Sequence, residues 1–226
     1  MKHIALLTTL LLSASLQAVE KPYDYVFFEN SLMKGDYFYS QAKYTSPSWI
    51  KNARHHLPVA GSVAFTPGNS LELTYVSAPG GDWYSEIQYC PVRGNDFFRE
   101  PSTLSMQVRL RESMNAAALP NIAIRYADST YTQYLNLRNY LKDTRPGVWH
   151  PVSIPLEDFG LNAVNDTNIK KLAAVALRPG TADGNEYTIY LDDIELLPAS
   201  LPSVSALNAP VLQEAKAYER HIDIKW

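Results

Sequence analysis

Between Val26 and Leu197 apolar and polar residues alternate in short runs, each closed by Pro, Gly, Asn or Asp. Successive residues of a strand point to opposite faces, so a period of two marks a strand with one buried side. The alternation predicts strands over 25–28, 62–65, 70–77, 83–89, 103–109, 121–126, 132–139, 149–155, 172–178 and 187–196. Turn formers fit between them at Pro67-Gly68-Asn69, Pro79-Gly80-Gly81-Asp82, Arg145-Pro146-Gly147, Pro179-Gly180 and Asp183-Gly184. Long helical periodicity is absent. Many short strands without crossover helices predict an all-β fold, a sandwich of two packed antiparallel sheets.

The same alternation assigns faces. Leu104, Met106, Val108 and Leu110 take every second place, with Ser105, Gln107 and Arg109 between them. One side is core and the other is wet. Ile122 and Ile124 stand likewise against Ala123 and Arg125, and Leu135 and Leu137 against Tyr134, Asn136 and Arg138. Trp149 is expected in the core, because Val152 and Ile154 make its strand apolar.

The two ends of the chain read differently. Lys2 and His3 precede an apolar run from Ile4 to Leu12 and small residues ending at Ala18. This is the order of a secretory signal peptide, and the run is too short to span a bilayer. Residues 1–18 are therefore expected to be a leader, and the protein to be exported: periplasmic, cell-surface or secreted. Residues 19–198 form the predicted domain, 199–208 a Pro/Ser/Ala linker, and 209–226 a further alternating segment ending at Trp226.

Loss of Lys2 with the leader changes the formal net charge from −3 to −4, and the remaining basic residues are scattered. Nucleic acid is therefore an unsuitable partner, and no later segment is apolar for long enough to make a membrane helix. The sequence has one cysteine, so Cys90 has no disulfide partner within it and is expected as a buried thiol. Fifteen tyrosines and four tryptophans suit strands, and also a surface that stacks on rings.

Two segments carry a family likeness. One is the run 147–159, with Trp149, Val152, Ile154, Leu156 and Phe159; the other joins 169–179 to Thr188-Ile189-Tyr190-Leu191-Asp192-Asp193-Ile194-Glu195-Leu196. Together they resemble the closing strands of galactose-binding-like jelly rolls, the fold of many carbohydrate-binding modules attached to glycoside hydrolases. Phe28-Glu29 is similar to the opening of such modules. Residues 209–226 look like the start of a fibronectin type III domain. The resemblance implies a non-catalytic module that targets polysaccharide or oligosaccharide, followed by downstream domains of the same chain such as a glucoamylase-like hydrolase. It further implies that the terminal strands lie together, which would let Glu29, Asp192 and Asp193 share a structural calcium.

Sugar recognition needs flat aromatic faces for the apolar side of a pyranose and planar polar groups for its hydroxyls. Tyr84, Gln88, Arg125, Tyr134, Asn136 and Arg138 fall on predicted wet faces, and the loop before Trp83 offers an indole. The alternatives are a spacer or docking domain without sugar binding, and a small jelly-roll hydrolase or lyase. No Gly-x-Ser-x-Gly elbow or metal-ligand spacing occurs, and His55-His56 reads as a loop pair. A glycosidase needs two facing carboxylates; among Glu72, Glu86, Asp96 and Asp128 no spacing marks a pair, so no catalytic residue is assigned.

Overall fold

The computed structural model describes residues 25–89, 101–161 and 171–198, together with the backbone of two short strands at 214–217 and 222–225. The leader 1–18, Cys90, Asp96, the linker 199–208, His221 and Trp226 lie outside the described residues. The strands are β1 (Tyr25–Phe28), β2 (Asp36–Tyr37), β3 (Ser40–Thr45), β4 (Trp49–Ile50), β5 (Leu57–Ala60), β6 (Ser70–Val76) and β7 (Asp82–Gln88). They continue as β8 (Pro101–Leu110), β9 (Asn121–Tyr126), β10 (Leu135–Asn136), β11 (Trp149–Pro155), β12 (Leu172–Arg178) and β13 (Glu186–Pro198). Beyond the sandwich, β14 (Glu214–Ala217) pairs antiparallel with β15 (Ile222–Lys225).

Two antiparallel sheets make the sandwich. An eight-stranded sheet runs β11-β8-β13-β6-β5-β2, with β1 on β13 and β4 on β6; a five-stranded sheet runs β10-β9-β12-β7-β3. The first and last strands are neighbours, with Phe28 opposite Ile194. Among the described residues the helical segments are short 3-10 turns, and no helix is long and apolar enough to cross a membrane.

The core fills by alternation. Leu104, Met106, Val108 and Leu110 of β8, Val152 and Ile154 of the adjoining β11, and Leu71, Leu73 and Tyr75 of β6 beyond β13 share the inner face of the larger sheet. Ile87, Ile122, Ile124, Val175 and Leu177 face them from the smaller one. Trp83 is fully buried between the sheets, its ring 4.8 Å from Tyr75 and its Nε1 donating to Ser77 Oγ at 2.9 Å. The core therefore takes the indole that its turn position suggested for solvent, because Trp83 shares the inward parity of Ser85 and Ile87.

Trp149 is the reverse case. His150, Val152 and Ile154 are buried, so the odd-numbered Trp149 points outward and is only half-buried, edge-on to Phe65 at 6.1 Å. Apolar neighbours do not place a residue in the core when the parity is wrong. Two strand boundaries also differ. Residues 62–65 form loop, the strand lying earlier at β5. Over 132–139 only β10 is extended: the Asn136 side chain accepts from Arg138 N and starts a 3-10 turn over Leu137–Asn139, a local bond that competes with the ladder. Strands β2 to β4 escape the alternation because they are very short or, like β3, exposed along one half.

An irregularity in β13 shapes the larger sheet. Leu191 and Ile194 both point inward although three positions apart, so one residue between them is extra. It is Asp193, with φ of 46° at the register shift against β8. Asp192, fully buried on the outer side, accepts from the backbone N–H of Phe65 at 2.7 Å and Thr66 at 3.2 Å, and from that of Asp193 at 2.9 Å. Asp193 Oδ2 takes the Thr66 hydroxyl at 2.7 Å. The two acids thus hold the 61–69 loop against the sheet.

Two stability effects follow from these contacts. Trp83→Ala should cost about 3–5 kcal/mol through lost transfer and an interior cavity, read from urea unfolding; a loss under about 1 kcal/mol would mean the indole is not a core residue. For Asp192, burial pushes the carboxyl from its ordinary 3.8 up to about 6. The folded form then holds its proton more tightly than the unfolded chain, so this contribution is full below 3.8 and lost as pH rises through about 6. The loss is on the order of 3 kcal/mol. Asp192→Asn keeps the shape without titrating, so the stability difference, parent minus variant, should be larger near pH 4.5 than near pH 7.5. A difference that stays flat with pH would remove the buried-anchor role, and one that grows with pH would indicate a cation on the carboxylate.

Candidate functional site

On the outer face of the five-stranded sheet the alternation of β7 presents Tyr84, Glu86 and Gln88 while Trp83, Ser85 and Ile87 turn inward. The register Glu86↔Ala176↔Ala123 carries this face across β12 and β9. Gln88 and Arg125 flank Ala174 in the next row, and Arg178 lies opposite Asn121, which lies opposite Asn136. Alanine at 123, 174 and 176 keeps the middle of the sheet low, so the long side chains of the flanking strands meet above it.

Two loops complete the face. After β9 the chain turns at Asp128, whose Oδ1 accepts from Thr130 N at 2.9 Å, and returns to bridge Arg125 with Tyr131. Thr132 closes this return by exchanging bonds with Ile124 at 2.9 Å. Tyr131 is thereby carried over the sheet. Beyond Arg178 the chain passes so close to the 3-10 turn Ala116–Ala118 that a Cβ on Gly180 would lie 2.1 Å from the Leu119 carbonyl oxygen. Only glycine fits there, and Thr181 N donates to Ala117 O at 2.8 Å, which fixes the exit from Arg178.

The side chains then form one network. Tyr84 and Tyr131 hydroxyls lie 3.1 Å apart, and Tyr131 donates to Glu86 Oε1 at 3.2 Å. Arg125 Nε approaches the same Glu86 oxygen to 2.5 Å, and both side chains are largely buried. The Arg178 guanidinium lies 5.4 Å from the Tyr84 ring centroid and 5.6 Å from that of Tyr134, and its Nε donates to the Tyr134 hydroxyl at 3.1 Å. Its Nη1 reaches Asp82 at 3.4 Å. Tyr131 and Tyr134 stack with centroids 6.0 Å apart and planes 27° from parallel. Burial, then the Glu86 charge, pushes the Tyr131 hydroxyl up, and burial does the same for Tyr134 against the lowering pull of Arg178. Both phenols therefore stay neutral donors in ordinary buffers.

The structure brings together Tyr84, Gln88, Arg125 and Tyr134 from the set read in the sequence, with Asn136 at the margin. Asn136 spends its amide on Leu119 O and Asn121 Oδ1, both at 3.0 Å, and Arg138 lies exposed on the following 3-10 turn. Trp83 is not part of the face. Tyr131, Arg178, Glu86 and Asp82 complete it without having been singled out as sugar contacts. Arg178 ends the run 172–178, whose first six residues are all apolar and hide which side it faces.

Rings with charged donors and acceptors between them suit a neutral polyhydroxylated ligand: the rings cover C–H faces, the arginines and Gln88 donate to hydroxyls, and the acids accept. Among the described residues of this face, the two acids are not spaced as a hydrolytic pair. Glu86 and Asp82 lie four residues apart along one face, about 13 Å, beyond the roughly 6.5–9.5 Å that an inverting pair spans. Glu72 lies on the other sheet and Asp128 in the turn after β9.

The aspartates of the set proposed for calcium are engaged within the protein itself. Both Asp192 oxygens already accept backbone amides, and Asp193 Oδ2 takes the Thr66 hydroxyl. Glu29 follows β1, and among the described residues no three His, Cys, Asp or Glu side chains group to hold a metal.

Comparison with known proteins agrees with this architecture. A family 30 carbohydrate-binding module of the cellulosomal cellulase Cel9D-Cel44B of Clostridium thermocellum superposes with a TM-score of 0.57 at 17% identity, over 79% of this chain and 99% of that one. Two further family 30 modules give TM-scores of 0.56 and 0.53 at 17% and 18% identity, over 83% and 77% of this chain and 94% and 98% of theirs. At these identities the likeness is one of fold. The sequence model of the family described as carbohydrate binding domain 30 matches residues 24–197, which is the sandwich from β1 to the end of β13, and the chain belongs to that family of non-catalytic carbohydrate-binding modules.

Proposed function

We propose that the outer face of the five-stranded sheet binds a neutral polysaccharide, with Tyr84, Tyr131 and Tyr134 as stacking surfaces and Arg178, Arg125 and Gln88 as hydroxyl donors. The observation that carries this is the Arg178 guanidinium set over both Tyr84 and Tyr134. Cation and rings are already ordered, so a ligand loses little further side-chain freedom on docking. β-Linked glucans are the first ligands to test, because the superposed module comes from a cellulase.

In the same proposal the leader 1–18 exports the protein, and the linker 199–208 joins the module to domains beyond it. Holding a catalytic partner beside polymer raises the local substrate concentration without any new contact. A spacer role without sugar would need another partner to cover these rings.

Tyr134→Ala and Arg178→Ala should each weaken retention on soluble β-glucan in affinity electrophoresis by about tenfold, equivalent to roughly 1.4 kcal/mol. Melting temperatures should fall by only a few degrees, since both side chains are partly exposed. Retention unchanged in both variants, or no retention of the parent on any β- or α-glucan, would refute this surface as the site.

A further inference from the structure

The opposite side of the sandwich carries a second arrangement of the same chemical kind. Parity points Trp149 outward from β11, and the register Trp149↔Arg109↔Tyr190↔Glu72 continues across the outer face of the larger sheet. Glu72 ends that row in an ion pair with Lys51 at 2.6 Å. Indole, guanidinium, phenol, carboxylate and ammonium follow one another in a single line. The Arg109 Nε is buried beneath this row without a hydrogen-bond partner, so it is the outer part of the guanidinium that faces the line.

Phe65 adds a ring to this line from the 61–69 loop. It is 50% exposed, yet its backbone N–H is held by the buried carboxylate of Asp192 and the next residue by Asp192 and Asp193 together. A large apolar ring is thus kept out in water, edge-on to Trp149, by two buried acids. Burying those acids is unfavourable in itself, so the loop's position is strongly specified and Phe65 is presented rather than left loose.

We propose that Phe65, Trp149, Arg109 and Tyr190 form a second glycan-binding ledge, which makes the module bivalent; the inference rests on the first face being a sugar surface. A hydroxyl-rich pyranose, apolar on its C–H face, satisfies rings and charged groups in alternation. An apolar protein surface placed here would desolvate Arg109 and the Lys51–Glu72 pair without offering them new hydrogen bonds. The ledge and the first face lie on the outsides of two sheets stacked about 10 Å apart and look away from each other. One extended glycan cannot lie on both, so the second ledge takes a separate chain or a separate segment.

The test uses the full chain with cellohexaose and with soluble mixed-linked β-glucan. Calorimetry should give two hexaoses per protein, falling to one in Phe65→Ala/Trp149→Ala and to one in Tyr134→Ala/Arg178→Ala. Light scattering should show that the parent cross-links the polymer and that neither double variant does. Phe65→Ser alone, at a half-exposed position, should already weaken the second site, and melting curves will show that each variant is folded. One hexaose per parent, with retention unaffected by Phe65→Ala/Trp149→Ala, overturns the second ledge and leaves the first face standing. No hexaose or polymer bound by the parent overturns both, and self-association lost in Phe65→Ser would identify the patch as an interface between copies of the chain.

Discussion

Strand β13 serves three neighbours at once: β6 along its first half, β8 along most of its length, and β1 near its end. Each of them needs apolar side chains from β13 on the same inner face, and a strict period of two would turn that face outward wherever the spacing slipped. The extra residue at Asp193 reconciles them, keeping Leu191 and Ile194 both inside while the strand changes register. A bulge leaves backbone and side chains off the ladder, and here those side chains are carboxylates aimed at the loop above. The irregularity that lets β13 bridge its partners therefore also fixes where Phe65 stands.

The smaller sheet solves a different problem. Its inner face is mainly aliphatic, with Trp83, Ser85 and Ser40 among the exceptions, while its outer face buries Glu86 and much of Arg125 above alanines. Charges this close to a sheet are unfavourable unless each is paired. Glu86 receives the Arg125 cation and the Tyr131 hydroxyl, and Arg178 has Asp82 and two rings. The network adds little net stability, since the exposed Arg178–Asp82 pair contributes at most about 1 kcal/mol and the buried Glu86–Arg125 pair spends much of its attraction on its own desolvation. What it does supply is orientation, because Tyr131 and Tyr134 are tied at their hydroxyls and cannot turn their faces freely.

Where one face is core and the other wet, alternation was enough to read the fold: β8 and β11 lie in register over the whole predicted run. It fails where the chain lacks contrast. Strand β12 is apolar at six successive positions, buried on one side by core and on the other by the network, so Arg178 had no legible face. Trp83 and Trp149 went wrong in opposite directions, because a turn before one and aliphatic neighbours around the other outweighed the count of residues that decides parity. Tyr131 depends on a loop closing back onto β9 through Thr132 and Ile124, a contact that no local pattern announces. The terminal-strand pairing was legible only through the family likeness, and the loop held by Asp192 involves partners 127 residues apart.

The division of aromatic residues follows from what each ring must do. Trp83 fills the space between the sheets and satisfies its one donor on Ser77, so its whole surface serves the core. The first face uses tyrosines instead. A phenol offers a smaller stacking area than an indole, but its hydroxyl can be tied at the far end of the ring, and Tyr84, Tyr131 and Tyr134 are each tied to another member of the network. A ring held at both ends presents one plane and loses little entropy when a flat ligand arrives. On the opposite side Trp149 and Phe65 have no such tether between them, and order there comes from the backbone of the 61–69 loop. The two faces therefore reach the same kind of surface by different means, one through side-chain hydrogen bonds on rigid strands and the other through a loop clamped by buried acid.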